Sequence, residues 1–579
     1  MLYFHSKLNT IEWDRIYLFL EIFIDNELSI DTKSLHFYLV NSSGTVETEL
    51  IVLEYVDSCA KVKLNVTNSG VDRCINNDVY KILITDEMNY YSFVEYREDP
   101  NYLISNCRCW RYGNNVGAYT VTFNVDEYDA LSSLQLCFFN TNKVGLGNMP
   151  ARYGGKPTPL IDKIKNKISN KIKKYKYRFA GKAYRFLKKI HINNSNEVLF
   201  FSAQDDELAH NMEVILKRIQ ERHLDEKFNL SVYLKKMTSE QISLCSHLKA
   251  LWLIAKANVI FVDDHVPYFD RILLKDTKVI QVWHAGAGFK GVGYSRWGHH
   301  GCPGPFSCHR QYTYCVSGSK QISHFFSEQF GVLDEQVIPT GMPRMDEYLD
   351  TGNRKKVTEY LYEAYPFLKN KNVVLFAPTY RGQNRKNAYY PYEIIDFQAL
   401  YEYCKRSNSI VLFKMHPWVA SEVPIDSQYS DCFYDFNKYP DINELFYITD
   451  LLITDYSSSM YEYALMNKPM LAFAYDKYQY SMTRGFHRSY DDNVPGKVCE
   501  SFSDLLAALE NEDFEYYKHD DYMLRHYDHT DTGNTDRVID WLLLDKIPDE
   551  YKRKLDDKLS HVNVVRNKNF SFLMESRGE

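Results

Sequence analysis

Leu451-Leu452-Ile453-Thr454-Asp455-Tyr456-Ser457-Ser458-Ser459 is the stretch on which the fold turns. An apolar run closes on an acid and serines, then continues through Tyr461, Glu462, Ala464 and Leu465. That reads as a buried strand turning into a helix. Strands apolar on both faces belong to parallel sheets covered by helices. The pattern recurs on both sides of this stretch. Asn372–Pro378, Ser409–Met415 and Asp431–Phe436 read as further strands with helical stretches between several of them. Earlier, Val198–Ser202, Leu230–Leu234, Asn258–Asp264, Lys278–Trp283 and Gln311–Ser317 alternate with helical Glu207–Arg222 and Leu244–Ala255. Two doubly wound halves in series predict an α/β protein with a pair of Rossmann lobes and a cleft between their strand C-termini.

Residues 1–150 differ. Short runs rich in β-branched and aromatic residues, such as Arg15–Ile24, Ser34–Val40 and Ala118–Val125, are separated by turns such as Asn41-Ser42-Ser43-Gly44. They predict a small β sandwich or barrel without a catalytic constellation. The expected organisation is a β-rich accessory domain (1–150), a basic amphipathic helical linker (151–195), a first lobe (196–365) and a second lobe with C-terminal helices (366–579).

Composition narrows the function classes. Of 579 residues, 45% are hydrophobic and 25% charged, which excludes a mainly disordered, collagen-like or fibrous chain. No apolar run reaches the ~18 residues a spanning helix needs. The first residues, Met1-Leu2-Tyr3-Phe4-His5-Ser6-Lys7, lack signal-peptide character. Twelve cysteines without a C-x-x-C pair predict reduced thiols and a cytosolic setting. A net charge of −7 argues against nucleic acid as a partner.

The charge is uneven. Lys163 to Lys189 holds twelve Lys or Arg and no acid, so the −7 of the whole leaves −19 for the rest. Ile161, Ile164, Ile168, Ile172, Tyr175, Phe179, Ala183, Phe186 and Ile190 recur at helical spacing, with Gly181 a candidate break. Such a basic amphipathic helix fits an anionic membrane surface; packing on a neighbouring domain is the alternative.

Four polar clusters follow apolar strands, where open parallel sheets bind ligands. In Trp283-His284-Ala285-Gly286-Ala287-Gly288, a histidine able to accept a proton enters a glycine loop that lets backbone N–H groups approach an anion. Pro378-Thr379-Tyr380-Arg381 presents a hydroxyl and a permanent cation suited to phosphate. Lys414-Met415-His416-Pro417 alternates so that Lys414 and His416 share one side, as a phosphate clamp would. Ser457 and Ser458 open a helix whose N-terminus suits a diphosphate, and Glu462 lies one turn on, placed to accept ribose or polyol hydroxyls. A fifth group, His299, His300, Cys302, Cys308, His309 and Cys315, matches no standard zinc spacing and reads as reduced, non-ligand residues.

Taken together, over about residues 196–545, these clusters resemble the CDP-glycerol/CDP-ribitol polyolphosphotransferases of teichoic acid and capsule synthesis. The likeness rests on Gln281-Val282-Trp283-His284, Pro339-Thr340-Gly341-Met342-Pro343-Arg344-Met345-Asp346, Phe376-Ala377-Pro378-Thr379, Lys414-Met415-His416, Thr454-Asp455-Tyr456-Ser457-Ser458, Arg484-Gly485-Phe486 and Pro495-Gly496. The wording leans toward the poly(ribitol-phosphate) polymerases, which Phe261-Val262-Asp263-Asp264, Val292-Gly293-Tyr294-Ser295-Arg296, Tyr461-Glu462-Tyr463-Ala464 and Ile11-Glu12-Trp13-Asp14-Arg15 resemble. Glycerol-phosphate polymerases more often carry Gly-Thr-Pro after the first histidine and Asp at the place of Glu462. The resemblance implies a GT-B fold, a CDP-polyol donor, an undecaprenyl-linked polymer acceptor and a peripheral location on the cytoplasmic face of the membrane. It implies His284 as base, cytosine and ribose near Pro378, Thr379 and Glu462, and the diphosphate at Ser457 and Ser458 with Arg344, Lys414 and His416 offsetting charge. No metal or cofactor is expected, so chelation should leave turnover in place. The rival expectations are CDP-glycerol as donor, a GT-B glycosyltransferase using a sugar nucleotide, and a noncatalytic membrane-associated binder of anionic polymer. Oligomeric state is not readable from the sequence.

Overall fold

A computed structural model describes residues 1–141 and 180–575, apart from 26–27, 29, 69–73, 113–116, 127–130, 192–195, 238–241, 271, 275, 287, 298, 300–301, 306, 383–386 and 484. Most of the basic segment, 163–179, lies outside the described residues.

Twelve strands, β1 (Leu2–Tyr3) to β12 (Leu134–Thr141), form two mainly antiparallel sheets. Alternation builds them: in Tyr17–Ile24 every second residue is buried. Leu18, Leu20, Ile22, Phe37, Ile82 and Val121 of the two sheets share one core, as a sandwich requires.

The first lobe is a parallel sheet of β13 (Glu197–Ser202), β14 (Asn229–Leu234), β15 (Val259–Val262), β16 (Lys278–Gln281), β17 (Tyr314–Val316) and β18 (Val337–Ile338), in the order β14-β13-β15-β16-β17-β18. The second contains β19 (Asn372–Phe376), β20 (Ser409–Phe413), β21 (Phe433–Asp435), β22 (Leu451–Thr454), β23 (Met470–Phe473) and β24 (Lys497–Cys499), ordered β21-β20-β19-β22-β23-β24. Sequence order reverses between β13 and β15 in the first sheet and between β19 and β22 in the second. Ligands enter open parallel sheets at such switch points. Asp263, Pro378, Thr379 and the 455–459 turn all stand just beyond these strands. The expected α/β architecture of two Rossmann lobes in a GT-B-like pair, preceded by a β-rich region, is the observed one.

The chain does not stay in the second lobe to its end. Arg218 and Arg222 of the first lobe bind Asp536, and Arg222 also binds Asp540. Asp346 accepts the N–H groups of Asn534 and Thr535 at 2.9 and 2.8 Å. The last described residues return to the β-rich region, where Phe570 and Leu573 pack with Tyr38 and Leu83. The C-terminal helices expected after the second lobe thus run back as a strap over the first lobe and the β-rich region. Glu328 ties three parts together: it pairs with Arg15 of the β-rich region at 2.7 Å and with His487 of the second lobe at 2.8 Å.

Residues 180–190 are helical, Gly181 included. Ala180 and Tyr184 bury themselves against first-lobe residues such as Leu199 and Ala257, while Phe186 and Ile190 stay 64% and 52% exposed. Part of the apolar stripe thus packs on the lobe and part faces solvent. Among the described residues, no helix is long and apolar enough to cross a membrane.

Candidate active site

His284 leaves β16 through a constrained turn. Trp283 adopts φ 39°, a left-handed conformation costly for an aromatic residue. Its indole lies 4.3 Å from the His284 ring, centroid to centroid, and meets Phe330 edge-on. Asn211, buried on the helix His210–Glu221, holds the turn: its amide donates to the carbonyls of Val282 and Trp283, and its oxygen accepts the Arg344 N–H at 3.0 Å. Strain of this kind survives only where the surroundings over-determine it.

His284 is exposed to solvent, with the Trp283 indole packed on its ring. Desolvation by its neighbours lowers its pKa; Asp264 opposes the shift, and Arg344 and Lys290 reinforce it. The ring also hydrogen-bonds the main chain of Asp263, which fixes its orientation. A neutral imidazole can accept a proton. Beside it, burial pushes the Asp263 carboxyl up to about 6, against the Ser202 hydroxyl, which donates to it at 2.9 Å.

The glycine loop closes the two lobes on each other. A Cβ at Gly286 would enter the Tyr461 ring of the second lobe, and Gly288 takes φ 64°. Arg344 spans the same gap. Its Nη2 donates to the His284 carbonyl at 2.7 Å and pairs with Glu462. The two side chains are 13% and 4% exposed. Glu462 and Arg344 were expected to meet a ribose and a diphosphate separately. In the structure they neutralise each other as a clasp, because two buried opposite charges within reach are far better paired than apart.

The second lobe presents Thr379, Ser457, Ser458 and Ser459, all half-buried. The Ser457 hydroxyl accepts the Ser459 N–H at 3.2 Å, while Ser458, at the N-cap position, makes no side-chain cap bond. The helix is short, Ser459–Ala464, so it offers a few free N–H groups rather than a long macrodipole. His416 Nδ1 accepts the Trp418 N–H at 3.1 Å. A neutral ring therefore carries its proton on Nε2, as a donor.

Arg381 and Lys414, both expected at phosphate, meet protein partners in the structure. Arg381 grips Asp476 with Nε and Nη2 at 2.6 and 2.8 Å and Asp455 with Nη1 at 2.9 Å. It lies against the rings of Tyr456, Tyr475 and Tyr480. It braces the exits of β19 and β22, since Asp455 also accepts the Thr379 N–H at 2.8 Å. Lys414 is 6% exposed, and its ammonium donates to the Asn437 carbonyl at 3.0 Å. Met415 packs into the second-lobe core, and its N–H donates to the Asn437 side chain at 2.6 Å. Lys414 stands just beyond β20, where Asn437, a loop residue with no sequence signal, takes it up. The sequence reading also passed over Asn211; its only signal is an amide among Met212, Ile215 and Ile219 on a buried helix face.

Comparison with known proteins places this geometry in a class. The model of the CDP-Glycerol:Poly(glycerophosphate) glycerophosphotransferase family matches residues 183–544, and the chain belongs to that family. It is 37% identical over 396 residues to the teichoic acid poly(ribitol-phosphate) polymerase of Bacillus spizizenii, an alignment covering 68% of this chain and 62% of that one. It is 37% identical over 367 residues to the teichoic acid ribitol-phosphate polymerase TarL of Staphylococcus aureus, covering 62% and 65% of the two. The chain thus spans somewhat less than two thirds of each of these relatives. The structure of the wall teichoic acid polymerase TagF shares the fold, with TM-score 0.51 and 21% identity over 68% of this chain and 98% of that one.

Proposed function

We propose that the protein transfers polyol phosphate, ribitol phosphate in preference to glycerol phosphate, from a CDP-polyol to the terminal hydroxyl of a lipid-linked teichoic acid or capsule polymer. The observation that carries this reading is the Arg344 clasp. It joins the carbonyl of His284 in one lobe to Glu462 of the serine-turn helix in the other, so a candidate base and a candidate anion site border one crevice. The names of the relatives support ribitol as the polyol.

The acceptor oxygen attacks the β-phosphorus of the donor while His284 takes its proton. The bond from that phosphorus to the bridging oxygen breaks, and CMP leaves with the electron pair. Ser457, Ser458, free N–H groups of the turn and the His416 Nε2–H would hold the diphosphate. Pro378 and Thr379 would border the nucleoside, and Ala285, Gly286 and Gly288 would let the acceptor approach closely. Arg344, Glu462, Arg381, Lys414 and Met415 act by positioning: they fix the walls of the crevice rather than meeting substrate first. Such charge-holding and positioning supply most of the catalysis of phosphoryl transfer. The test is mass spectrometry of products from a defined lipid-linked acceptor offered CDP-ribitol, CDP-glycerol and UDP-sugars in turn. Growth by ribitol phosphate units with release of CMP is expected. Growth by glycerol phosphate or a sugar would replace the donor, and binding without CMP release would overturn the enzyme reading.

The lowered pKa of His284 has a kinetic consequence. The active base is the neutral ring, so kcat/KM should fall only as pH drops below the ordinary histidine value of ~6.5. Asp264 stabilises the imidazolium. Asp264→Asn should therefore move that acidic limb to still lower pH, and Lys290→Met should move it up. An acidic limb unchanged in both variants would take the base role from His284.

Peripheral attachment to the cytoplasmic face of the membrane is part of the same proposal. Phe186 and Ile190 are exposed beside Lys182, Arg185 and Lys189, and the twelve-cation segment runs into them. Binding to vesicles containing anionic lipid should weaken with salt and on neutralising Lys171, Lys173, Lys174 and Lys176. Binding indifferent to both would remove the anchor.

A further inference from the structure

Behind the loop that carries Asp263 and Asp264, three potential ligands of different chemistry converge in the first lobe. His265 lies on the loop after β15, Asp270 ends the turn Pro267–Asp270, and Cys308 opens the turn Cys308–Gln311. Their ligand atoms all lie within 4.8 Å of one another. His265 Nε2 and Asp270 Oδ2 are 3.2 Å apart. Around a tetrahedral zinc with bonds of ~2.0–2.3 Å, neighbouring ligand atoms stand about 3.3–3.6 Å apart, so little movement would seat the ion.

The surroundings have the organisation of a supported site. The Cys308 N–H donates to Asp270 Oδ1 at 2.6 Å, which orients the carboxylate and leaves Oδ2 toward His265. The buried His309 hydrogen-bonds the thiol and, through Nδ1, the hydroxyl of Tyr312 at 2.9 Å. Outer partners of this kind fix ligands in metal sites. The sulfur is fully buried, while the side chains of His265 and Asp270 are 35% and 31% exposed, which gives an ion a way in.

We propose that His265, Asp270 and Cys308 bind one zinc ion, with the fourth position left to water. A thiolate with an imidazole and a carboxylate suits zinc and disfavours magnesium or calcium, which take oxygen ligands. The ion would be structural and touch no reacting atom. It would pin the loop carrying Asp264, whose charge acts on His284. Two residues beyond Cys308, Arg310 reaches the Thr67 carbonyl and the Cys74 sulfur, so the same pin would brace the β-rich region against the lobe. No spacing within 299–315 reveals the set, because Asp270 lies 38 residues before Cys308.

The test uses the full chain, stripped of metal and titrated with Co²⁺ and then Zn²⁺. One equivalent of cobalt should bind with a thiolate-to-cobalt charge-transfer band, and zinc should displace it. Cys308→Ser should abolish the band, while Cys245→Ser, at an exposed cysteine, should keep it. Asp270→Asn alters a part-exposed residue and keeps the thiolate; it should retain the band with metal affinity lowered about tenfold or more, which keeps the proposal testable if Cys308→Ser fails to fold. Absence of stoichiometric binding, a band that survives Cys308→Ser, or unchanged affinity in Asp270→Asn would each overturn the site. The cluster would then be a buried thiol–imidazole pair.

Discussion

His284→Ala should lose at least about a hundredfold in turnover while binding CDP-polyol almost as well as the parent. A positioned general base typically contributes about 10²–10⁴-fold, and the loss should fall on kcat rather than on donor affinity. His284 belongs to the first lobe, just beyond β16, whereas the groups proposed to hold the donor come from the second. The backbone of the turn should survive the change, because Asn211 and Arg344 hold it through main-chain atoms of Val282, Trp283 and His284. Donor affinity by calorimetry and CMP release by chromatography separate the two quantities. Unchanged turnover would remove the base, and lost donor binding would move His284 to the donor site.

The second large effect is on stability. Arg381→Ala would leave Asp455, fully buried, and Asp476, 13% exposed, without their shared cation. Stranding a buried charge in this way costs about 3–5 kcal/mol. Arg381→Lys should restore little, because one ammonium cannot reproduce a fork that grips two carboxylates. Denaturant unfolding should show a less stable protein in both variants. A variant as stable as the parent that no longer binds donor would instead return Arg381 to the phosphate contact that its sequence position suggested.

Arg381 shows where sequence reading ends. The alternation of apolar runs with helical stretches was enough to expect two parallel sheets, because burial on both faces leaves a direct mark on β15, β16, β20 and β22. The polar clusters were also legible, since each follows such a strand within a few residues. Their mutual partners were not. Asp476 lies 95 residues after Arg381, and Glu462 lies 118 residues after Arg344. A charged side chain beyond a strand reads as available for ligand until the fold shows which opposite charge it meets. Lys414 is the same case, taken up by a carbonyl at Asn437. His284 directly follows β16, and His416 keeps Nδ1 occupied by its own turn; both are matters of short-range geometry that the residue order carries. The C-terminal strap was hidden because Arg218 and Arg222 find Asp536 more than 300 residues away.

The most direct test of the account is a crystal structure of the His284→Ala protein with a CDP-polyol and a short acceptor. The account predicts the diphosphate on the Ser457–Ser459 turn within reach of His416 Nε2. The acceptor hydroxyl should lie about 3–3.5 Å from the β-phosphorus, on the side that the missing imidazole faced. A donor seated elsewhere, or a β-phosphorus turned away from residue 284 with the lobes closed, would contradict it.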